Sequence, residues 1–313
     1  MLKDLPFGVE IEMTGITREQ AARALAGLWN VTARHVGRGY DAWEIKDPAG
    51  KVWKIMSDGS ITAERWTGSE HVRVNSMEYS VEMVTPKLEY AEIPKLQEAV
   101  RVLREAHAKP NTSCGLHVHV DASRFDNQSL KNLMSIMYSK EDLLFQALGV
   151  PERRTERWCK PVRENMLAQA RRMTADASRA RLENIWYEGD VSTREHYNHT
   201  RYHALNLHSV FYRGTVEYRM FNSTLHAGKV KAYVHLALGI SSQALTQRGS
   251  QMHKTESDNP AFTFRTWLLR MGMIGEEFKN TRMHLLDALP GNSAWRYDKE
   301  HYTKNKARHE PER

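Results

Sequence analysis

Histidine and carboxylate side chains alternate with aliphatic ones between Cys114 and Asp121, where the chain reads Cys-Gly-Leu-His-Val-His-Val-Asp. A period of two is typical of a β-strand, so His117, His119 and Asp121 would share one face while the aliphatic residues pack on the other. Imidazoles and carboxylates are the groups that bind metal ions and move protons. A half-exposed strand with ordinary, hydrogen-bonded histidines has the same pattern, so the assignment depends on the rest of the chain.

Three other strand-like stretches also place charged groups on one face. The stretches are Phe7–Met13, Arg73–Thr85 and Arg213–Phe221. By the same alternation, they contribute Glu10 with Glu12, Glu78 with Glu82, and Glu217 with Arg219. Each pair alone is weak support, because Glu-x-Glu is common on exposed strands and Glu-x-Arg is usually a cross-strand ion pair. Four polar strand faces in one chain are a more specific indication of a functional site than any one pair.

Carboxylates that face one another raise each other's pKa unless a cation neutralises them. Oxygen ligands with a minority of imidazole suit Mg²⁺ or Mn²⁺, and open positions on such an ion suit phosphate oxygens. Arg219 beside Glu217, with Arg201 upstream, would then bind a transferred phosphate or a substrate carboxylate through forked hydrogen bonds. The residues therefore indicate metal-assisted nucleotide chemistry.

The composition narrows the class of protein. The chain has 313 residues, enough for one large domain or two ordinary ones, and a formal net charge of +7. It has two cysteines, Cys114 and Cys159, and neither belongs to a Cys-x-x-Cys pair, so a disulfide framework or a thiolate metal cluster is not expected. No run approaches the roughly 18 apolar residues of a membrane span, and the first residues lack the apolar core of a signal peptide. We expect a cytoplasmic protein with no membrane partner.

The positive charge is concentrated in two places. One is the stretch Arg153–Arg181, which we predict to be helical, and the other is the C-terminal tail around Lys304. A solvated face and a frayed end are the ordinary interpretations of such clusters, and binding of nucleic acid or another polyanion is the lesser alternative. Nucleic acid is therefore not expected as a partner.

The remaining segments predict the elements that would position these side chains. Thr17 with Gln20 indicates a capping box at the start of a first helix. Turn residues between Val31 and Ile61 indicate an antiparallel meander. Further helices are predicted: one over Ile93–Ala108, a long one capped by Asn127, and two or three over Lys229–Leu289, one of which begins at Asn259-Pro260.

Six short motifs together resemble one family. They are Phe7-Gly-Val-Glu-Ile-Glu, Ser57-Asp-Gly-Ser-Ile61, Glu82-Met-Val-Thr-Pro86, Cys114-Gly-Leu-His-Val-His-Val-Asp121, Arg201-Tyr-x-x-Leu-Asn206 and Gly214-Thr-Val-Glu-Tyr-Arg219. The resemblance is to the amidoligase family, of the glutamine synthetase and glutamate-cysteine ligase superfamily of carboxylate-amine ligases, and it spans roughly Phe7 to Thr224. The chain departs from the family in a longer segment, Thr62 to Ser76, and in Ser80, where glycine is usual.

The resemblance implies a role for each matching residue. Glu10, His117 and Glu217 would bind one metal ion, and Glu12, Glu78 and Glu82 the other. His119 and Arg219 would contact phosphate, and Arg201 a substrate or phosphate. The implied reaction is an ATP-dependent ligation with Mg²⁺ or Mn²⁺, in which a carboxylate becomes an acyl phosphate and is attacked by an amine to give an amide or isopeptide bond. Both substrates would be small molecules or peptides.

The implied fold is α+β, with a curved and mostly antiparallel sheet like that of the glutamine synthetase catalytic domain and helices on its convex side. We predict one catalytic domain over residues 1–291, helical from about residue 226, and a basic, flexible tail over residues 292–313. The main alternative function is a divalent-metal-dependent hydrolase or nuclease that uses the same carboxylates. A third is a non-catalytic polyanion-binding protein with a structural metal, which would leave the surplus of inward carboxylates unexplained.

Overall fold

An antiparallel sheet of eight strands lies at the centre of the computed structural model, which describes residues 2–174, 176–189, 195, 197–249 and 252–297. In these residues the strands are β1 (Phe7–Met13), β2 (Ala33–Gly37), β3 (Ala42–Lys46), β4 (Val52–Met56), β5 (Glu64–Trp66), β6 (His71–Arg73), β7 (Val81–Val84), β8 (Gly115–Asp121), β9 (Leu205–Asn206) and β10 (Thr215–Asn222). The order across the large sheet is β2-β3-β4-β7-β1-β8-β10-β9, and β5 pairs with β6 in a separate hairpin. The predicted meander is confirmed as β2, β3 and β4.

Helices cover the apolar face of this sheet. The α-helices of the described residues are α1 (Arg18–Leu28), α2 (Ile93–Glu105), α3 (Asn127–Leu148), α4 (Glu152–Arg157), α5 (Glu164–Arg171), α6 (Arg179–Trp186), α7 (His208–Arg213), α8 (Ala227–Thr246), α9 (Pro260–Arg270) and α10 (Lys279–Leu286). Helix α1 contacts β3 and β4, α8 contacts β8, and α3 contacts β10. Side chains such as Ile11, Val118 and Tyr218 are fully buried on this side. The predicted mixed fold with a large antiparallel sheet is confirmed; its likeness to glutamine synthetase stays a prediction.

Several helix boundaries follow from local capping. Thr17 and Gln20 form the predicted capping box at α1, and Asn259 caps α9, where Pro260 is the first residue. The cap of α3 is Asp126, one residue before the predicted Asn127, because its carboxylate accepts the backbone N–H of Ser129 at 2.7 Å. The segment after residue 226 forms three helices, as predicted.

The predicted strand over Arg73–Thr85 is wrong in its first half. Strand β7 begins only at Val81, and Met77–Tyr79 forms a 3₁₀ turn instead. Side chains rather than a neighbouring strand bind the carbonyls here. The Arg18 guanidinium donates to the carbonyls of Met77 and Ser80, and the Thr14 hydroxyl donates to that of Tyr79. Because backbone groups need partners of some kind, this arrangement replaces a strand ladder.

The basic stretch is helical, as predicted, but it consists of three short helices, α4, α5 and α6, with Pro161 between the first two. Most of its basic side chains are exposed, including Arg153, Arg163 and Arg181. Arg154 is the most buried, because only 7% of it is exposed, and Arg179 is half-buried and donates to the Phe125 carbonyl. The stretch is therefore a mostly solvated face, and Arg154 is turned furthest inward.

The end of the chain is described only as far as residue 297. Asn259 Nδ2 donates to the carbonyls of Asn292, Trp295 and Arg296, at 3.1, 2.9 and 3.2 Å. The first residues of the predicted tail thus contact the start of α9, and residues 298–313 lie outside the described residues.

Cys114 and Cys159 are buried and free. None of the helices in the described part of the chain combines the length and the apolar character that a bilayer crossing requires. The single domain over residues 1–291 stays a prediction.

Candidate functional site

The register of the four central strands brings polar residues face to face. On antiparallel neighbours, Glu12 of β1 lies opposite Glu82 of β7, and Glu10 of β1 lies opposite His117 of β8. On the far side of β8, His119 lies opposite Glu217 of β10. Directly opposite residues have their Cβ atoms about 5 Å apart, so each pair is in contact range. The alternation seen in the sequence therefore becomes one continuous polar surface across β7, β1, β8 and β10.

One half of this surface, the histidine end, consists of Glu10, His117, His119, Glu217 and Arg219. His117 Nδ1 lies 3.1 Å from Glu10 Oε2, and His119 Nε2 lies 3.3 Å from Glu10 Oε1. Arg219 Nη1 donates to Glu217 Oε1, and Asn206 Nδ2 donates to Glu217 Oε2 at 2.7 Å. Arg213 adds a longer contact to Glu10 at 3.4 Å. Every carboxylate here has cationic or hydrogen-bonding neighbours.

The pKa values at the histidine end follow from these contacts. Burial alone would raise the pKa of Glu10, but His119 and His117 outweigh it and hold that pKa well below its ordinary value. The pKa of Glu217 falls to about 2, because Arg219 and the histidines outweigh burial. Burial, with the charge of Arg219, lowers the pKa of His117 to about 4, whereas Glu10 and Glu217 overcome burial and raise that of His119. The carboxylates of this half are stable as anions.

The other half, the carboxylate end, consists of Glu12, Asp58 and Glu82. One ligand atom from each lies within 4.8 Å of the others. Burial, reinforced by Asp58, raises the pKa of Glu12 to about 7. The pKa of Glu82 rises well above its ordinary value through burial and through the charges of Glu10, Glu12 and Asp58. The ion pair that the described residues offer these groups is a long one, 3.9 Å from His117 Nε2 to Glu12 Oε1, and burial lowers the pKa of that histidine. With three acidic groups this close, this half favours a cation.

Asp58 is the member of this group that sequence reasoning missed. It lies in the turn Ser57-Asp-Gly-Ser, which we interpreted as hairpin chemistry and as a family motif without a role. Its backbone is fixed by Ser80, whose hydroxyl accepts the Asp58 N–H at 3.1 Å and donates to the Asp58 carbonyl. Ser80 is fully buried and is one of the positions where the chain departs from the family. Its side chain positions the third carboxylate.

Glu78, predicted as a metal ligand, does not reach this cluster. It is exposed on the 3₁₀ turn Met77–Tyr79 and belongs to none of the groups that could hold an ion among the described residues. Asp121, which we placed on the same face as the histidines, lies at the end of β8 and pairs with Lys87 at 2.6 Å. That contact outweighs burial and lowers the pKa of Asp121 to about 2. Both residues lie outside the site.

Arg219 lies where β10 changes register with β8, between Tyr218 and Phe221. It is 7% exposed, and its Nε atom is buried without a hydrogen-bond partner in the part of the chain that the structure describes. The centre of its guanidinium lies 5.9 Å from the Tyr202 ring. Arg201 is only partly buried and lies over the same ring, at 5.8 Å, and over Tyr197, at 5.6 Å. Tyr202 therefore lies between the buried arginine and the peripheral one.

The donor set fits the ion that the sequence predicted. Three groups of residues could each hold a metal ion: Glu12 with Asp58 and Glu82, Glu10 with Glu82 and His117, and Glu10 with His119 and Glu217. The first group is all oxygen, which suits Mg²⁺ or Mn²⁺, and the other two add imidazole. The orphaned Nε atom of Arg219 is a donor available to an anionic ligand on the same surface. The arrangement can bind cations and an anion side by side.

Comparison with known proteins agrees with this chemistry. A family model described as "Putative amidoligase enzyme" matches residues 3–241, which include every strand of the sheet and most of α8. The match extends past the motifs recognised in the sequence, which end near Thr224. No curated protein matches the chain.

Proposed function

The chain belongs to the amidoligase family, a family of ligases, and we propose that it forms an amide or isopeptide bond between a carboxylate and an amine at the expense of ATP. The single observation that carries this proposal is the polar surface across β7, β1, β8 and β10, where a carboxylate cluster lies beside a buried arginine. A ligase that activates a carboxylate as an acyl phosphate needs both groups, one for the cations that accompany ATP and one for the phosphate.

In this proposal the acidic residues hold the metal ions and a basic residue contacts the phosphate. Glu12, Asp58 and Glu82 would hold one Mg²⁺ or Mn²⁺ ion. The family resemblance assigns a second ion to Glu10, His117 and Glu217; the structure groups His117 with Glu10 and Glu82, and Glu217 with Glu10 and His119. Such ions supply neutralisation of phosphate charge when they are bound. Arg219, anchored by Glu217, donates to the transferred phosphate, and its position is fixed before the substrate arrives, so no reorganisation is needed during the reaction.

His119 and Arg201 have supporting roles in the proposed site. His119 is buried, and its pKa is raised by Glu10 and Glu217, so it would bind phosphate as a cation. Its Nδ1 atom lies 3.1 Å from the Thr215 hydroxyl, which fixes the ring. Arg201 lies further out, over Tyr202, and would contact the substrate or the outer phosphates of ATP. Small molecules or peptides are the expected substrates.

The fate of one oxygen atom tests the mechanism. The carboxylate attacks the γ-phosphorus of ATP, ADP leaves, and the amine then displaces phosphate, which takes one carboxylate oxygen with it. Carboxylate labelled with heavy oxygen should therefore give labelled phosphate, with Mg²⁺ or Mn²⁺, acid and amine all required. Simple ATP hydrolysis would place an oxygen from water in the phosphate. A screen of amino acids, polyamines and short peptides for ATP turnover comes first.

Two variants serve as controls for that assay. Arg219→Ala should slow phosphate release by roughly two orders of magnitude or more, because it removes a donor directed at developing charge. Arg153→Lys, on the solvated face, should leave the rate unchanged. Unlabelled phosphate that accompanies amide formation would exclude the acyl phosphate. Cleavage of nucleic acid without ATP, or tight sequence-selective binding of it at physiological salt, would contradict the ligase proposal in favour of a nuclease.

A further inference from the structure

Arg154 is the one residue of the basic stretch whose guanidinium reaches the sheet. It lies in α4, is 7% exposed, and crosses to β10. Its Nη1 atom donates to the Phe221 carbonyl at 2.8 Å and to Asn222 Oδ1 at 2.9 Å. Its Nη2 atom donates to the Arg219 carbonyl at 3.3 Å. One side chain therefore binds three acceptors between Arg219 and Asn222 of β10, next to the buried arginine of the site.

These acceptors lie at the register shift of β10. The pairing of β10 with β8 is regular up to Tyr218, shifts, and resumes at Phe221. A bulge of this kind disrupts the ladder and re-aims the side chains beside it. Arg154 binds the carbonyl of Arg219, inside the irregularity, and that of Phe221, where pairing resumes. Its fork thus fixes the backbone conformation that directs the Arg219 side chain towards Glu217.

The approach of Arg154 is close enough to require glycine on β8. A Cβ atom added at Gly115 would lie 2.9 Å from Arg154 Nη2 and 3.1 Å from His117 Nε2. The Gly115 N–H also donates to Glu12 Oε2 at 2.6 Å. The Arg154 guanidinium therefore lies across Gly115 from His117 and Glu12, two residues of the polar surface.

The charge of Arg154 has no local counter-ion. Among the described residues no carboxylate lies within 4.0 Å of its nitrogens. A buried guanidinium that served only to attach α4 to the sheet would be an expensive choice, because removing a charge from water is unfavourable unless something nearby compensates. The nearest compensation is the anionic surface beyond Gly115.

We propose that Arg154 is a positioning residue of the active site, which holds the bulge that directs Arg219 at phosphate and adds a second buried positive charge beside Glu12. This inference rests on the proposed function and assigns to it a residue that neither the sequence motifs nor the predicted ligand set contain. A purely structural Arg154 would affect stability alone, whereas a positioning Arg154 also affects nucleotide and metal affinity.

The test measures binding of Mn²⁺ and of Mn²⁺ with a non-hydrolysable ATP analogue, at a temperature where every variant is folded. Arg154→Lys keeps the charge but replaces the two nitrogens of the planar fork with one, which cannot reproduce the geometry of these three hydrogen bonds. It should therefore weaken binding of the analogue by about tenfold and leave Mn²⁺ affinity unchanged. Arg154→Gln removes the charge, so it should raise the affinity for Mn²⁺ and weaken binding of the ATP analogue. Arg153→Lys, whose parent side chain donates only to the Thr112 carbonyl, is the matched control.

A double-mutant cycle separates positioning from simple attachment. If Arg154 acts through Arg219, Arg154→Lys should have no further effect on analogue affinity when Arg219 is already alanine. An equal loss in both backgrounds, or no loss in either, would overturn the inference. Should Arg154→Lys not fold, Asn222→Ala removes one acceptor of the same guanidinium and should weaken binding of the analogue in the same direction. Failure of the unaltered protein to bind the analogue would count against the proposed function instead.

Discussion

The two ends of the polar surface share a strand and differ in how their charge is balanced. At the histidine end, Glu10 and Glu217 are neutralised by imidazoles and by Arg219, and their pKa values fall. At the carboxylate end, Glu12 and Glu82 lie opposite each other with Asp58 beside them, and their pKa values rise. Two positions along β1, from Glu10 to Glu12, are enough to reverse the electrostatics.

This difference predicts which end of the surface gains more stability from an added cation. Like charges placed directly opposite each other on neighbouring strands are destabilising. A fold that keeps such a pair buried tolerates a loss of stability that binding of a cation would recover. At the histidine end, in contrast, imidazoles and Arg219 already neutralise the carboxylates, so a bound cation should stabilise the fold less there. The comparison therefore predicts that replacing a carboxylate by an amide changes the free energy of unfolding in opposite directions at the two ends.

The largest contrast is expected between Glu217→Gln and Glu82→Gln. Glu217→Gln leaves the buried Arg219 without its partner and should lower the free energy of unfolding by about 3 to 5 kcal/mol. Glu82→Gln removes a repulsive charge and should raise it by up to about 1 kcal/mol in metal-free buffer. Urea unfolding of both variants with a chelator present measures the two effects. A loss of equal size at both positions would show that the two ends do not differ.

A pH titration should isolate Glu12. Its pKa is about 7 in the folded protein and near 4.5 when unfolded, so the folded state binds the proton more tightly. Stability from this group is full below pH 4.5 and is lost as the pH rises through 7, by about 3 kcal/mol. We expect the unfolding free energy of the unaltered protein, minus that of Glu12→Gln, to fall by this amount in metal-free buffer.

The subtraction matters because His117 titrates in the opposite sense. Its pKa of about 4 when folded lies below the ordinary 6.5, so its contribution is lost as the pH falls. The histidine is present in both proteins, and its effect largely cancels in the difference. Saturating Mn²⁺ should abolish the fall with pH. A flat difference in metal-free buffer would mean that the carboxylate end is already neutralised within the protein.

A third prediction concerns the position of Asp58 rather than its charge. Ser80→Ala removes the hydroxyl that binds both backbone groups of Asp58 and should reduce Mn²⁺ affinity by about tenfold, the size typical of lost support for a metal ligand. Calorimetric titration with Mn²⁺ measures it. Ser60→Ala, at an exposed position of the same turn, is the control and should bind normally. Unchanged affinity in Ser80→Ala would remove Asp58 from the cation site.

The smallest effect is expected at Glu78. Because this side chain is exposed and remote from the cluster, Glu78→Gln should change the unfolding free energy by less than about 0.5 kcal/mol and leave Mn²⁺ affinity unaltered. Glu82→Gln in the same titration should bind Mn²⁺ much more weakly. Equal losses in the two variants would restore Glu78 as a ligand and require the turn at Met77–Tyr79 to rearrange.

The sequence predicted the parts of the site that regular strands position. Glu10, Glu12, His117, His119 and Glu217 follow from alternation alone, because a strand with one buried face fixes its register. Glu78 lies apart from the other carboxylates because the backbone before Val81 binds to the side chains of Arg18 and Thr14 instead of a neighbouring strand. No local sequence pattern reveals this long-range competition.

Two residues were missed for related reasons. Asp58 lies in a turn, where side-chain direction has no period. Its carboxylate accepts the Ser60 N–H at 2.7 Å, and its backbone is held by Ser80. Arg154 belongs to a basic stretch whose other members are mostly solvated, so its charge gave no sign of burial. A small clue was present in Gly115, since glycine inside a strand often marks a close approach of other groups.

The strand order also determines when the site can form during synthesis. Glu10 and His117 are separated by 107 positions, and Arg213 and Glu10 by 203, so the surface is built from distant parts of the chain. Strands β7, β1 and β8 leave the ribosome long before β10 brings Arg219. For that interval the carboxylates have no arginine beside them, and contacts of such long range form slowly. Divalent ions should therefore speed refolding, and a nascent chain that ends before β10 should be prone to mispairing at the open edge of β8.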